Sequence, residues 1–120
     1  MVFNPQINKS MDKSATEKLL TDLQVKEYLN KVTGWQLHAG GKMIYREYLT
    51  KDFMSAVDLI RRIAHIAEEE NHHPDIHLTG YRTLRIELTT HDAGGLSEKD
   101  FIEADRINDL SVELKRRDTR

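Results

Sequence analysis

Residues 52–90 read DFMSAVDLIRRIAHIAEEENHHPDIHLTGYRTLRIELTT, and two periodicities meet in that stretch. Phe53, Ala56, Val57, Ile60, Ile63, Ala64 and Ala67 recur at three- and four-residue spacing, the pattern of a helix with an apolar stripe. Met54, Leu59 and Ile66 widen the stripe, so this helix is expected to be covered on more than one side. Asp52 opens it, and the acidic run Glu68-Glu69-Glu70 followed by Asn71 closes it. Pro74 cannot continue a helix and pushes His73 into an extended conformation. From Tyr81 to Thr90 the period changes to two: Leu84, Ile86 and Leu88 face one way, and Thr83, Arg85, Glu87 and Thr89 the other. A buried helix followed by a strand with one open face is the nucleus of a two-layer α+β fold.

The flanks extend that plan. Before it, Leu19, Leu20, Leu23, Tyr28, Leu29 and Val32 predict a helix over 15–32, with Ser14 and Thr16 as candidate caps and Gly34 as a stop. Trp35 to His38 and Met43 to Leu49, around Gly40-Gly41, read as a β-hairpin. After it, Gly94-Gly95 breaks the chain and Ser97 starts a last helix to about Lys115, with Ile107, Leu110 and Leu114 as its stripe. The order α-β-β-α-β-α suits an antiparallel sheet with helices packed on one face.

Composition narrows the function. The chain has 120 residues, enough for one domain, and 32% of them are charged with a net charge of −2. That balance offers no electrostatic reason to bind nucleic acid or an anionic membrane. The absence of cysteine removes disulfides, thiol nucleophiles and Cys-based zinc sites. No run of residues is long and apolar enough to span a bilayer. Residues 1–13 are polar, without the apolar stretch of a secretory signal. They read as a disordered extension, with Met11 as an alternative start, ahead of a single domain over 14–120. A cytoplasmic location is expected, with the nucleus as the alternative. The lean apolar content favours self-association, with the flank carrying Leu59 and Ile66 expected to meet a partner.

Six histidines are distributed unevenly: His72, His73 and His77 are clustered, and His91 ends the open-faced strand. Histidine gives and takes protons near neutral pH, so such a cluster suits proton transfer without a redox group. Two plainer readings stand beside it. His73 or His72 with His77, and a carboxylate from Glu68 or Asp75, could ligate zinc, although the spacing falls in a Pro-containing loop. The cluster could also be a surface accident, and surface or structural roles are the default for His38 and His65. Ser97 followed three residues later by Asp100 resembles a capping box. Trp35 is either a core residue or one wall of a ligand site.

Taken together, Glu68, His72-His73-Pro74, Tyr81, His91 and Asp100 at their spacings resemble the signature of the pterin-4a-carbinolamine dehydratases. These proteins are also known as dimerization cofactors of a hepatocyte homeodomain transcription factor. Gly34-Trp35, Ile44 through Asp52-Phe53 and Ala56, Leu88-Thr89-Thr90-His91 and Gly95-Leu96-Ser97 agree, so the resemblance covers roughly residues 14 to 115. It implies a sheet of about four strands, with Leu78-Thr79 or a divided hairpin supplying the fourth. It also implies dehydration of 4a-hydroxytetrahydropterin to quinonoid dihydropterin, a recycling step for tetrahydrobiopterin, without metal or cofactor. By resemblance His72 and His91 take the acid and base roles, His73 holds and polarises the pterin, and Asp100 orients or charge-tunes a histidine. Glu68, Asn71, Pro74, Thr89, Thr90, Asp92 and Trp35 complete the implied substrate-binding set. Relative to animal members the loop from Pro74 to Tyr81 is one residue longer and carries an extra His77, to which no role carries over. Implied partners are the pterin, further copies of the chain as a homodimer or homotetramer, and a transcription factor's dimerization helices. A non-catalytic interaction module and a metal-dependent hydrolase are the rival functions.

Overall fold

The computed structural model describes residues 17–112 and 114. The elements in chain order are α1 (Asp22–Leu29), β1 (Gln36–Leu37), β2 (Ile44–Leu49), α2 (Phe53–Glu70), β3 (Asp75–Thr79), β4 (Thr83–Leu88) and α3 (Glu98–Asn108), with a 3₁₀ turn at His91–Ala93 before α3. The strands form one antiparallel sheet in the order β1-β2-β4-β3. The α+β reading therefore holds, and the fourth strand is β3. It contains the expected Leu78-Thr79 and extends back to Asp75, because Ile76 and Leu78 alternate with exposed Asp75, His77 and Thr79 along an edge strand. The β3–β4 turn places Gly80 and Tyr81 in the left-handed region, at φ 54° and 61°. That turn is why β4 starts at Thr83 rather than at Tyr81.

Leu84, Ile86 and Leu88 are fully buried on one face of β4, as their alternation predicts. Across the register, Ile44 faces Leu88 and Tyr48 faces Leu84, and both are buried. The opposite face is polar. There the Arg85 guanidinium lies 3.8 Å from the Tyr45 ring centre and pairs with Glu87 at 2.7 Å and Glu47 at 3.2 Å. The helices thus pack on the apolar face alone.

The core face of α2 is rotated from the centre of the expected stripe: Ala56, Ile63 and Ala67 are buried as expected, but Phe53 and Val57 are not. Leu59, Ile63 and Ile66 join Ala56 and Ala67 against the core, whereas Phe53, Met54 and Val57 are exposed. Helical spacing draws two apolar stripes on α2 and cannot say which one the sheet takes. The observed choice lays small Ala56 and Ala67 beside the larger side chains, which lets helix and sheet approach closely. The first helix is shorter than expected because Thr21 and Gln24 form a capping box, so it starts at Asp22 and ends at Leu29. The proposed caps Ser14 and Thr16, like the polar extension 1–13, lie outside the described residues. The last helix stops at Asn108. Leu110 still packs on the core, while exposed Leu114 bridges to Thr50 instead of extending the stripe.

Two acidic side chains of α3 sit inside this packing, Asp100 and Glu103. Glu103 of α3 is fully buried, and among the described residues neither carboxylate oxygen has a hydrogen-bond partner. Burial, then the nearby Glu70 and Asp100, pushes its pKa up to about 8.

Two measurements of stability follow. Leu59→Ala or Ile63→Ala should cost about 2–5 kcal/mol in chemical unfolding and Val57→Ala under about 1 kcal/mol; the opposite order would reject the assigned face. Between the ordinary carboxylate value and about 8, the unfolded chain has released the Glu103 proton and the folded chain has not. Stability from this group is therefore complete below that window and lost as pH rises through it. Glu103→Gln should flatten that decline, and an identical slope in parent and variant would contradict it.

Candidate active site

The site forms where the end of α2, the end of β4 and the start of α3 meet. Asn71 closes α2 in the left-handed conformation, at φ 52° and ψ 44°, and its N–H bonds back to Ala67 and Glu68 carbonyls. The His72 N–H bonds to the Ala67 carbonyl at 3.1 Å, the six-to-one bond of a Schellman turn. Asparagine tolerates that conformation better than most residues, and the turn carries His72 off the helix axis toward α3. Pro74 then commits the chain to β3.

Asp100 lies in the first turn of α3 and is completely buried. Its Oδ2 accepts from the Ser97 N–H at 3.0 Å and the Thr90 hydroxyl at 2.8 Å, and its Oδ1 is 2.7 Å from His72 Nε2. The Ser97 and Thr90 hydroxyls lie 2.7 Å apart. One carboxylate thus caps a helix, anchors the strand end and orients an imidazole. A carboxylate only accepts, so Nε2 of His72 donates and Nδ1 is the nitrogen left for a substrate. His72 is 9% exposed, so its ring is fixed while its edge reaches the cleft.

That cleft, of about 340 Å³, is lined by Asn71, His72, His73, Thr89, Thr90, His91 and Asp92, together with Glu17 and Lys99. The volume is at the small end of ligand sites. His91 and Asp92 come from the 3₁₀ turn, and both are exposed. His73 is exposed as well and lies 2.6 Å from Glu68 Oε2 through its Nε2. Glu68 therefore reaches the cleft only through His73, and half-buried Pro74 shapes the turn without lining it. Trp35 is not brought to the cleft. It is 4% exposed in the core and donates its indole N–H to Asn108 Oδ1 at 2.9 Å.

The metal alternative loses its geometry. His77 points to Glu87 across the outer sheet face, with Nε2 3.2 Å from Oε1, while His72 is held by Asp100. Among the described residues no three His, Asp or Glu side chains converge as ligands. Sequence reasoning did not single out Glu17 or Lys99. Lys99 Nζ lies 3.2 Å from Glu17 Oε2 and donates to the Asn71 carbonyl at 3.3 Å, so it closes one side of the cleft. Its place beside Asp100 in the first turn of α3 was the available signal.

Comparison with known proteins agrees with this geometry. The sequence profile of the family described as pterin 4 alpha carbinolamine dehydratase matches residues 18–110. A mitochondrial pterin-4-alpha-carbinolamine dehydratase 2 of Arabidopsis thaliana is 42% identical over 98 residues, covering 80% of this chain and 52% of that protein. The chain thus spans about half the length of that plant relative. A protein of Sulfurisphaera tokodaii named for the same activity is 40% identical over 93 residues, covering 78% of this chain and 97% of its own length. The crystal structure of a transcriptional coactivator/pterin dehydratase from Brucella melitensis superposes with a TM-score of 0.70 at 32% identity, over 74% of this chain and 94% of that one. A pterin dehydratase-like RuBisCO assembly factor of the alpha-carboxysome shares the fold at 18% identity, with a TM-score of 0.53 over 62% of this chain and 86% of that one. Fold, cleft and sequence converge, and the chain belongs to the pterin-4-alpha-carbinolamine dehydratase family of hydro-lyases.

Proposed function

We propose that this chain dehydrates pterin-4a-carbinolamine to quinonoid dihydropterin and water, in the recycling of tetrahydrobiopterin, by histidine acid/base catalysis. The observation that carries the reading is the Asp100–His72 pair at the back of a cleft that also holds His73 and His91. The C4a–O bond breaks as the hydroxyl takes a proton and leaves as water, and the N5–C4a double bond forms as N5 loses its proton. One acid and one base suffice, and the two protons balance. His72 and His91 share those roles, each serving as acid for a different C4a epimer. His73, steadied by Glu68, holds and polarises the ring. The Thr89, Thr90 and Asp92 edge and Asn71 offer polar groups to a flat heterocycle.

The exposed apolar face of α2 supports a second, compatible property, self-association as a homodimer or homotetramer. The outward stripe is Phe53, Val57, half-buried Ile60 and Ala64. Leu59 and Ile66, which the sequence pointed to as partner contacts, belong to the subunit's own core, so substituting them would test folding rather than assembly. A docking role toward a transcription factor, the non-catalytic alternative, would use the same face. The intact histidine cleft favours the enzyme.

His72→Ala or His91→Ala should slow turnover of chemically generated 4a-hydroxytetrahydropterin by roughly 10²–10⁴-fold. Full activity in both variants on mixed epimers would remove these residues from the mechanism. Light scattering at micromolar concentration should return two or four times 14.0 kDa, and Phe53→Glu with Val57→Glu, both at exposed positions, should shift the mass toward one subunit. A parent protein at 14.0 kDa would reject self-association.

A further inference from the structure

Glu103 stands one turn along α3 from Asp100, on the side of the helix that packs into the molecule. It is fully buried, and among the described residues neither carboxylate oxygen has a hydrogen-bond partner. Four charged groups face it: Glu70 from the end of α2, and Asp100, Lys99 and Arg106 from its own helix. The two cations are committed elsewhere. Arg106 donates to Glu70 at 2.8 Å and Glu69 at 2.6 Å, and Lys99 to Glu17 and the Asn71 carbonyl. Asp100 in turn directs both oxygens to His72, Thr90 and Ser97. No donor is left for Glu103 among these neighbours, and an anion there would be a second buried negative charge within one helical turn of the first.

We propose that Glu103 is a positioning residue of the dehydratase site: as a neutral acid it keeps a single negative charge behind His72, and so sets how tightly His72 holds its proton. Glu103 touches no substrate and acts through Asp100. Nothing else in the packing explains an acid here, since a carboxylic acid without a partner contributes neither a hydrogen bond nor apolar contact beyond its stem. Burial and the two neighbouring acids place its ionisation at about 8. Once it ionises, the added charge strengthens the hold of His72 on its proton by roughly threefold to tenfold, the range for charges near one another in a partly screened interior.

This inference rests on the reading of His72 as an acid/base group, and its test separates the two. The full-length protein with isotope-labelled histidine is titrated by NMR from about pH 5 to about pH 10, the His72 signal being assigned by its loss in His72→Gln. The His72 ring should show a second inflection at about 8 that disappears in Glu103→Gln. On the C4a epimer for which His72 serves as the acid, the ratio of variant to parent kcat should fall by roughly threefold to tenfold between about pH 6 and about pH 9, with KM little moved. Should the amide of Glu103→Gln disturb the packing, Glu103→Leu gives the same two readings without a polar group. A His72 titration that is the same in the parent and in both variants overturns the proposal. An inflection that Glu103→Gln removes, in a parent with no dehydratase activity, keeps the coupling and overturns the function instead.

Discussion

The Asp100 carboxylate is buried without contact with water, and such a group is tolerated only where donors replace its hydration. Three parts of the chain supply that replacement. The N-terminus of α3 brings the Ser97 N–H and the favourable end of the helix dipole, the end of β4 brings the Thr90 hydroxyl, and the turn after α2 brings His72. Removing any one donor exposes the cost of the others, so the geometry of the cleft and the stability of the helix start are the same interaction seen twice. That is why a capping residue and a site residue coincide. The first turn of a helix is where a carboxylate is easiest to bury, and a carboxylate is what orients an imidazole.

Topology makes the meeting possible. In the order β1-β2-β4-β3, α2 leaves the sheet after β2 and returns to the edge strand β3, so the C-terminal end of α2 lies beside the C-terminal end of β4. Asn71 in its left-handed conformation turns the chain sharply at that point. A helix that ended in an ordinary right-handed residue would carry His72 onward along the helix axis. The left-handed residue sends it toward Asp100, and the adjacent Pro74 keeps the following backbone extended. The edge strand itself carries exposed Asp75, His77 and Thr79, which makes it a poor template for uncontrolled pairing.

Much of this was legible in the sequence, for identifiable reasons. Alternation set the inward face of β4, because Leu84, Ile86 and Leu88 have no competing pattern. The motif placed His72, His73, His91 and Asp100 together, and Ser97 with Asp100 showed a cap. On α2, by contrast, two stripes of similar strength exist, and which one is buried depends on how closely the small residues let the sheet approach. β3 was faint because only Ile76 and Leu78 are apolar in it. Trp35 beside a glycine turn suggested a ligand wall, but its distance from the cleft is a tertiary fact, set by the bond to Asn108 at the far end of α3. Glu103 was readable in hindsight. It is three residues after Asp100 and four before Ile107, on the face whose other members are buried, and an acid at such a position breaks the apolar pattern.

The two outer histidines and the inner one differ in exposure, and the proposed dehydration would make use of the difference. A turnover that protonates a leaving hydroxyl and deprotonates a ring nitrogen leaves its acid without a proton and its base with one too many. The catalyst must exchange these before the next cycle. His72 is nearly closed off from solvent and held by Asp100, so in the proposed mechanism it supplies a fixed direction. His91, on an exposed 3₁₀ turn, trades protons with water freely but is less constrained. In the proposed mechanism, placing one of each around a small open cleft would give the reaction both orientation and a route by which the protons return. An enclosed pair would be better oriented but slower to reset, and two exposed histidines would reset quickly while holding the pterin loosely. The open cleft between a capped helix and a strand end is the arrangement that serves both requirements with imidazoles alone.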